Sequence, residues 1–286
     1  MQIASLDGTL GQLASLDAWL GALGIAPKKD RWHEAVEIVR RAREQLEKVE
    51  SGGQRAFIDN YVSGLFDATE VAGIVRAFSG DVSAALRDKV GRALSGPIAP
   101  LQELPRNSVA RNAMFELSLA ADWKNRGVTV EMGEPDILLH LGGVVFQVEC
   151  KRPFYMRSVL ANIRDAASQL GKELEKPANG AAFGIIAISL SRAFTQGNLL
   201  CAAPEGQGRR VIKETLAELI EKHRQEWRIK SFLDFHQRIV AVMFHLTAPW
   251  DIKGASLINL SHAQFIQAGK SIKGWHTLLN NMARLY

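Results

Sequence analysis

The sequence predicts an α/β fold, with a helical N-terminal region ahead of a mixed sheet. Three observations carry this. Residues 9–24, 31–50, 54–78 and 82–95 read as helices. Two apolar runs then meet at Gly142-Gly143, a dipeptide that favours a two-residue hairpin turn because glycine tolerates positive φ. Finally, a helical stretch leads into the apolar run AAFGIIAIS, the order expected of a crossover between parallel strands.

Within the first region, Asp30 can cap the helix over 31–50. Its apolar positions Ala35, Val36, Ile38, Val39 and Leu46 lie largely along one side of a charged helix. Ser51-Gly52-Gly53 and Ser79-Gly80 read as breaks. The segment SGPIAPLQELP, with Pro97, Pro100 and Pro105, reads as a boundary, so the expected regions are 1–104 and 105–286. The repeat ASLDGTLGQL/ASLDAWLGAL near the start has no further copies and carries no weight.

Asn107 or Ser108 can cap the next helix and Gly127 can end it. Steps of three and four from Val109 give Ala113, Glu116, Ala120 and Trp123. Glu116 is the only charge on that stripe of small and apolar residues, and a carboxylate there is not freely solvated.

Strands are expected at 128–131, 136–141 and 144–151. If the two glycines form the turn, Leu141 pairs with Val144, and counting back sets Asp136 across from Glu149. Opposed residues share a face, with Cβ atoms about 5 Å apart, and Lys151, two beyond Glu149, shares it too. Two facing carboxylates destabilise a bare sheet, and a divalent cation between them reverses the sign. Cys150 alternates away and belongs in the core. His140 shares the Asp136 face and reads as a surface residue.

After the hairpin a helix is expected over 155–176. Its core face is Leu160, Ile163, Ala167, Leu170 and Leu174, and its polar side is Asn162, Asp165, Gln169 and Lys172. The strand over 182–189 completes an αβββαβ order. Residues 191–206 read as a loop with Gly197, Pro204 and Gly206, and 207–227 as a helix with Arg209, Arg210 and Lys213 near its start. Strands are expected at 238–246 and 255–260.

The spacing Pro135-Asp136 … Glu149-Cys150-Lys151 resembles the PD-(D/E)XK nuclease superfamily, and the αβββαβ order matches its restriction-endonuclease-like core. The resemblance implies that Asp136 and Glu149 bind Mg²⁺, which Mn²⁺ can replace, with the backbone carbonyl of Cys150 as an added ligand. It implies that Lys151 assists the attacking water. A glutamate of the first core helix often joins such a metal site, and Glu116 matches it. Some branches place a substrate-orienting glutamine on the helix after the hairpin. Gln169 matches it and reads equally well as a solvated residue. The implied reaction is Mg²⁺-dependent phosphodiester hydrolysis, most often in DNA, for restriction, repair or phage defence. The competing class is a non-catalytic nucleic-acid-binding or assembly protein that keeps the fold.

Composition agrees with a polyanionic partner. Residues 1–100 carry 12 Lys and Arg against 13 Asp and Glu, while the remainder carries 23 against 17. The basic excess thus lies with the catalytic motif. The near-neutral N-terminal helices suit self-association or partner contacts. Two cysteines, Cys150 and Cys201, are too few for a disulfide framework or a cysteine zinc site. The histidines form no H-x-x-x-H or HNH-like grouping. No Walker-type glycine loop or G-x-S-x-G elbow is present. With no positive n-region before the first apolar positions and no apolar run near ~18 residues, neither a signal peptide nor a membrane span is expected, and a cytoplasmic location follows as the expectation.

Overall fold

The computed structural model describes residues 6–26, 30–46, 55–97, 103–195, 201–203, 207–252 and 258–282. The chain divides into two compact units. One comprises Met1–Asn125, Gly197–Glu205 and Ala248–Asn259; the other comprises Arg126–Gln196, Gly206–Thr247 and Leu260–Tyr286.

The first unit is helical: α1 (Leu6–Leu13), α2 (Leu16–Ala22), α3 (Arg31–Leu46), α4 (Arg55–Phe78), α5 (Ala84–Ala93) and α6 (Val109–Asn125). The helix expected over 9–24 is two helices. Ser15, at φ −92° and ψ 1°, leaves helical geometry without any Gly or Pro to announce it. The break re-aims Trp19, whose ring stacks on Trp32 at 6.3 Å and whose Nε1–H donates to the Phe78 carbonyl at 2.9 Å. Both rings are buried, and each side chain of that size contributes at least about 1.5–3 kcal/mol.

Asp30 caps α3 as expected, its Oδ1 accepting from the Trp32 and His33 amides at 2.9 and 3.1 Å. Residues 47–50, the Ser51-Gly52-Gly53 break, Pro100 and the loop residues Gly197, Pro204 and Gly206 lie outside the described residues. Helix α6 packs on α4 and α5. For that reason it groups with the helical unit, and the two compact units meet in sequence at Asn125/Arg126.

The second unit is α/β. Its elements are β1 (Thr129–Met132), β2 (Ile137–Leu141), β3 (Val144–Lys151), α7 (Val159–Glu175), β4 (Phe183–Ser189), α8 (Ser191–Thr195), α9 (Gly208–Lys222), β6 (Ile239–Ile252), β7 (Ile258–Gln267) and α10 (Ile272–Met282). A short β5 (Cys201–Ala203) pairs in parallel with the far end of β6, and both of those segments belong to the first unit. The sheet is open and mixed, in the order β1-β2-β3-β4-β6-β5, with β7 on β6. The β1–β2 and β2–β3 pairs are antiparallel; β3–β4 and β4–β6 are parallel.

The hairpin register is the expected one. Leu141 pairs with Val144 and Ile137 with Val148, and Gly142 and Gly143 take φ of 57° and 75°. Positive φ at both turn positions is the geometry that matches strand twist, and only glycine adopts it without strain.

Strand β3 sends Phe146, Val148 and Cys150 to one face and Gln147, Glu149 and Lys151 to the other. Helix α7 covers the second face. Gly184, which pairs with Gln147, leaves room there for Leu170 and Leu174; a Cβ would meet Leu170 Cδ2 at 2.7 Å. Helix α10 lies on the opposite face, its Gly274 against Phe183 and Val240.

Several elements differ from expectation. The stretch 191–206 holds α8 and β5 as well as loop. Strand β6 runs on to Ile252, and β7 begins at Ile258 and ends at Gln267; residues 255–257 lie outside the described residues. Helix α9 stops at Lys222 rather than Trp227 because Trp227 turns into the core, stacking on Phe244 at 5.1 Å and on His223 at 5.0 Å. Among the described residues no helix is long and apolar enough to cross a membrane.

Candidate active site

The site is built on the end of β3. The chain enters β2 through a tight turn, in which the Gly133 N–H donates to the Asp136 carbonyl at 3.3 Å. Asp136 lies one step beyond the Ile137–Val148 pair, so the register sets it across from Glu149. Its Oδ2 accepts the Cys150 backbone N–H at 2.9 Å. That bond fixes the carboxylate against the strand that carries Glu149 and Lys151.

Lys151 is the centre of the arrangement. Its ammonium lies 3.0 Å from Glu149 Oε1 and 3.0 Å from Asp165 Oδ2, and it donates to Gln169 Oε1 at 2.8 Å. Asp165 and Gln169 are one turn apart on α7, and Gln169 Nε2 donates to Asp165 Oδ2 at 3.2 Å. Burial by itself lowers the Lys151 pKa. Hydrogen bonds to Glu149 and Asp165, and the charges of both, outweigh it and hold the ammonium above its ordinary range. Lys151 is therefore a hydrogen-bond donor and a fixed positive charge.

Glu149 and Asp165 both lie at the Lys151 ammonium, and Asp136 is bonded to the Cys150 amide. Among the described residues no group of three or more His, Cys, Asp or Glu side chains is arranged to hold a metal. Mg²⁺ needs no such cage, because it takes one or two carboxylates and keeps several waters. The donor set of Asp136 and Glu149 fits that chemistry. The Cys150 thiol is buried on the other face, as alternation requires, and leaves only its backbone near the carboxylates.

Four of the residues singled out in the sequence, Asp136, Glu149, Lys151 and Gln169, are thus brought to one face and one end of the second unit. Glu116 stands in the first unit. Its carboxylate is largely buried and pairs with Lys89 of α5. Asp165 is the residue the sequence reading left on the polar side of its helix without a role. Its signal was the four-residue spacing from Gln169. His140 pairs with Glu131 at 3.2 Å with both side chains well exposed. Arg209, Arg210 and Lys213 are exposed on α9, and Arg210 is held by Gln207 at 2.5 Å.

The Asp136–Cys150 bond makes a stability prediction. Asp136→Ala leaves a strand-end N–H without that acceptor and is expected to cost about 1–3 kcal/mol. Asp136→Asn keeps an oxygen in place and is expected to cost less than about 1 kcal/mol. Urea melts of the three proteins check the order, and an alanine variant as stable as the wild type would remove Asp136 from any structural role.

No family model, curated protein or solved structure matches this chain. The functional reading rests on the residues themselves.

Proposed function

We propose that the protein is a metal-dependent nuclease of the PD-(D/E)XK type, its second unit built on a restriction-endonuclease-like core and its substrate DNA. The observation that carries this is the convergence on one strand end: Asp136 bonded to the Cys150 amide, Glu149 bonded to Lys151, and Gln169 accepting from the same ammonium through its Oε1. A folding role alone does not call for opposed carboxylates, which repel.

Asp136 and Glu149, with the Cys150 carbonyl, are the residues that would hold Mg²⁺. When bound, the ion would lower the pKa of a water and neutralise charge on phosphoryl oxygens. Lys151, kept protonated, orients the attacking water and offsets negative charge as it develops on the phosphoryl group. Gln169 and Asp165 fix the direction of the Lys151 side chain, so that little reorganisation is needed during reaction.

The test is cleavage of supercoiled plasmid and of a single-stranded oligonucleotide in Mg²⁺, Mn²⁺ or EDTA. Cleavage is expected with either ion and not with EDTA. Folded protein that cuts neither substrate with any divalent ion would overturn the reading. A second readout needs no turnover. Mg²⁺ or Ca²⁺ is expected to raise the wild-type Tm and to leave that of Asp136→Asn unchanged, because a ligand stabilises only the state that binds it.

A further inference from the structure

Directly after Lys151 the chain reads Arg-Pro-Phe-Tyr-Met-Arg, residues 152–157, before α7 begins. The segment holds two aromatic rings and two arginines and no carboxylate. Its rings are ordered by a relay of contacts. The Arg192 guanidinium, from the buried start of α8, lies over the Phe154 ring at 4.3 Å. Phe154 meets Tyr155 edge to face at 4.9 Å. The Arg157 guanidinium lies over the Tyr155 ring at 5.1 Å. Arg192 is buried at 9%, yet Tyr155 at the other end of the relay is 47% exposed. A large ring in that position exposes apolar surface that the core could have taken. It is held by neighbours on either side rather than left to rotate.

We propose that this segment is a stacking platform for one unpaired base of single-stranded DNA, adjoining the carboxylate site in sequence by four residues. An exposed aromatic ring offers a flat face to a base and is indifferent to which base it is. A guanidinium stacked on the same ring keeps its N–H edge for a phosphate. Rings interleaved with arginines, with no acidic residue among them, match the alternation of base and phosphate along a strand. An intact duplex stacks its bases on each other and offers no free face, so the platform selects single strands, frayed ends or flaps. The relay from buried Arg192 orders the ring beforehand, which reduces the entropy lost on binding. The proposal deepens the nuclease reading and rests on it for the chemistry next to the platform.

The test separates the two readings by measuring binding and cutting apart. Binding of a single-stranded deoxyoligonucleotide carrying 2-aminopurine, and of its duplex, is followed by fluorescence in EDTA. Wild-type protein is expected to quench the single-stranded probe. Tyr155→Ala is expected to weaken that binding about five- to hundredfold, the share of one stacked base. Tyr155→Phe is expected to restore it, and duplex binding is expected to be the same in all three. Because Tyr155 is exposed, Tm is expected to be common to all three proteins. Unchanged single-strand affinity in Tyr155→Ala overturns the platform, as does an equal loss for both probes or no single-strand binding by the wild type. Tyr155-dependent binding without cleavage in Mg²⁺ upholds the platform and overturns the nuclease. Cleavage with Tyr155-independent binding does the reverse.

Discussion

Lys151→Ala is expected to lower DNA cleavage at least ~100-fold, the usual share of one acid–base or electrostatic group. The variant should remain folded and bind DNA almost as well as the wild type. The geometry says why the effect falls on the chemical step. The ammonium has three acceptors, Glu149, Asp165 and Gln169, at 3.0, 3.0 and 2.8 Å. Its side chain is 19% exposed and therefore stands between solvent and the strand end. Removing it leaves two carboxylates facing each other across the space it filled. That raises the negative charge where a phosphate must approach. Lys151→Arg is a sharper test. It restores the charge but not the compact three-donor head, and a planar guanidinium cannot reproduce three divergent bonds. Cleavage is expected to stay at least ~10-fold down. Single-turnover rates, with affinity measured in Ca²⁺, check both variants. Full cleavage by Lys151→Ala would sink the proposed mechanism, and a loss confined to affinity would recast Lys151 as a phosphate contact.

The hairpin was legible because local chemistry decides it. Two glycines in succession admit one short turn, and the turn fixes which residues face each other, down to Ile137 and Val148 beside Asp136 and Glu149. Cys150 was legible for the same reason, since alternation along β3 sends it inward. Gln169 was only half legible. Its place on the polar side of α7 followed from periodicity, but that this side lies over Lys151 depends on α7 packing against the Glu149 face. Nothing within α7 states that packing. Gly184 on β4 makes the approach close, through a void filled by Leu170 and Leu174. Asp165 was missed for that reason. Helix α10 was not expected from the sequence; Gly274, near its start, is a poor helix former, yet in the fold it lets the helix sit against Phe183 and Val240. The α1–α2 break was illegible because Ala14-Ser15 is locally as helical as its flanks, and only the seating of Trp19 on Trp32 calls for it.

The largest stability effect is expected at a residue that no motif marks. Asp67 of α4 is fully buried between two arginines. Arg31 Nε donates to its Oδ2 at 2.8 Å, and Arg111 Nη1 to its Oδ1 at 2.6 Å. Both guanidiniums are buried as well, so the carboxylate offsets charge that water cannot reach. Asp67→Asn keeps the shape and removes the charge, and it is expected to destabilise the protein by about 3–5 kcal/mol, the cost of breaking a buried pair. Arg31→Met is expected to cost less. Asp67 keeps Arg111 in that variant, and Arg31 Nη1 and Nη2 have no hydrogen-bond partner to lose. The pH dependence follows with a definite sign. Burial pushes the Asp67 carboxyl upward, but the charges of Arg111 and Arg31 and their hydrogen bonds outweigh it and hold it below its ordinary value. A carboxyl with a depressed pKa in the folded state adds stability that is complete above its unfolded value of about 3.9. That stability is lost as pH falls from there through the depressed folded value. Between neutral pH and about 5 the wild-type advantage over Asp67→Asn should be constant; below about 4 the two curves should converge. Urea melts from pH 7 down to pH 2.5 test this. A gap that stays constant through the acid range would show that the ionisation of Asp67 is not what stabilises the fold.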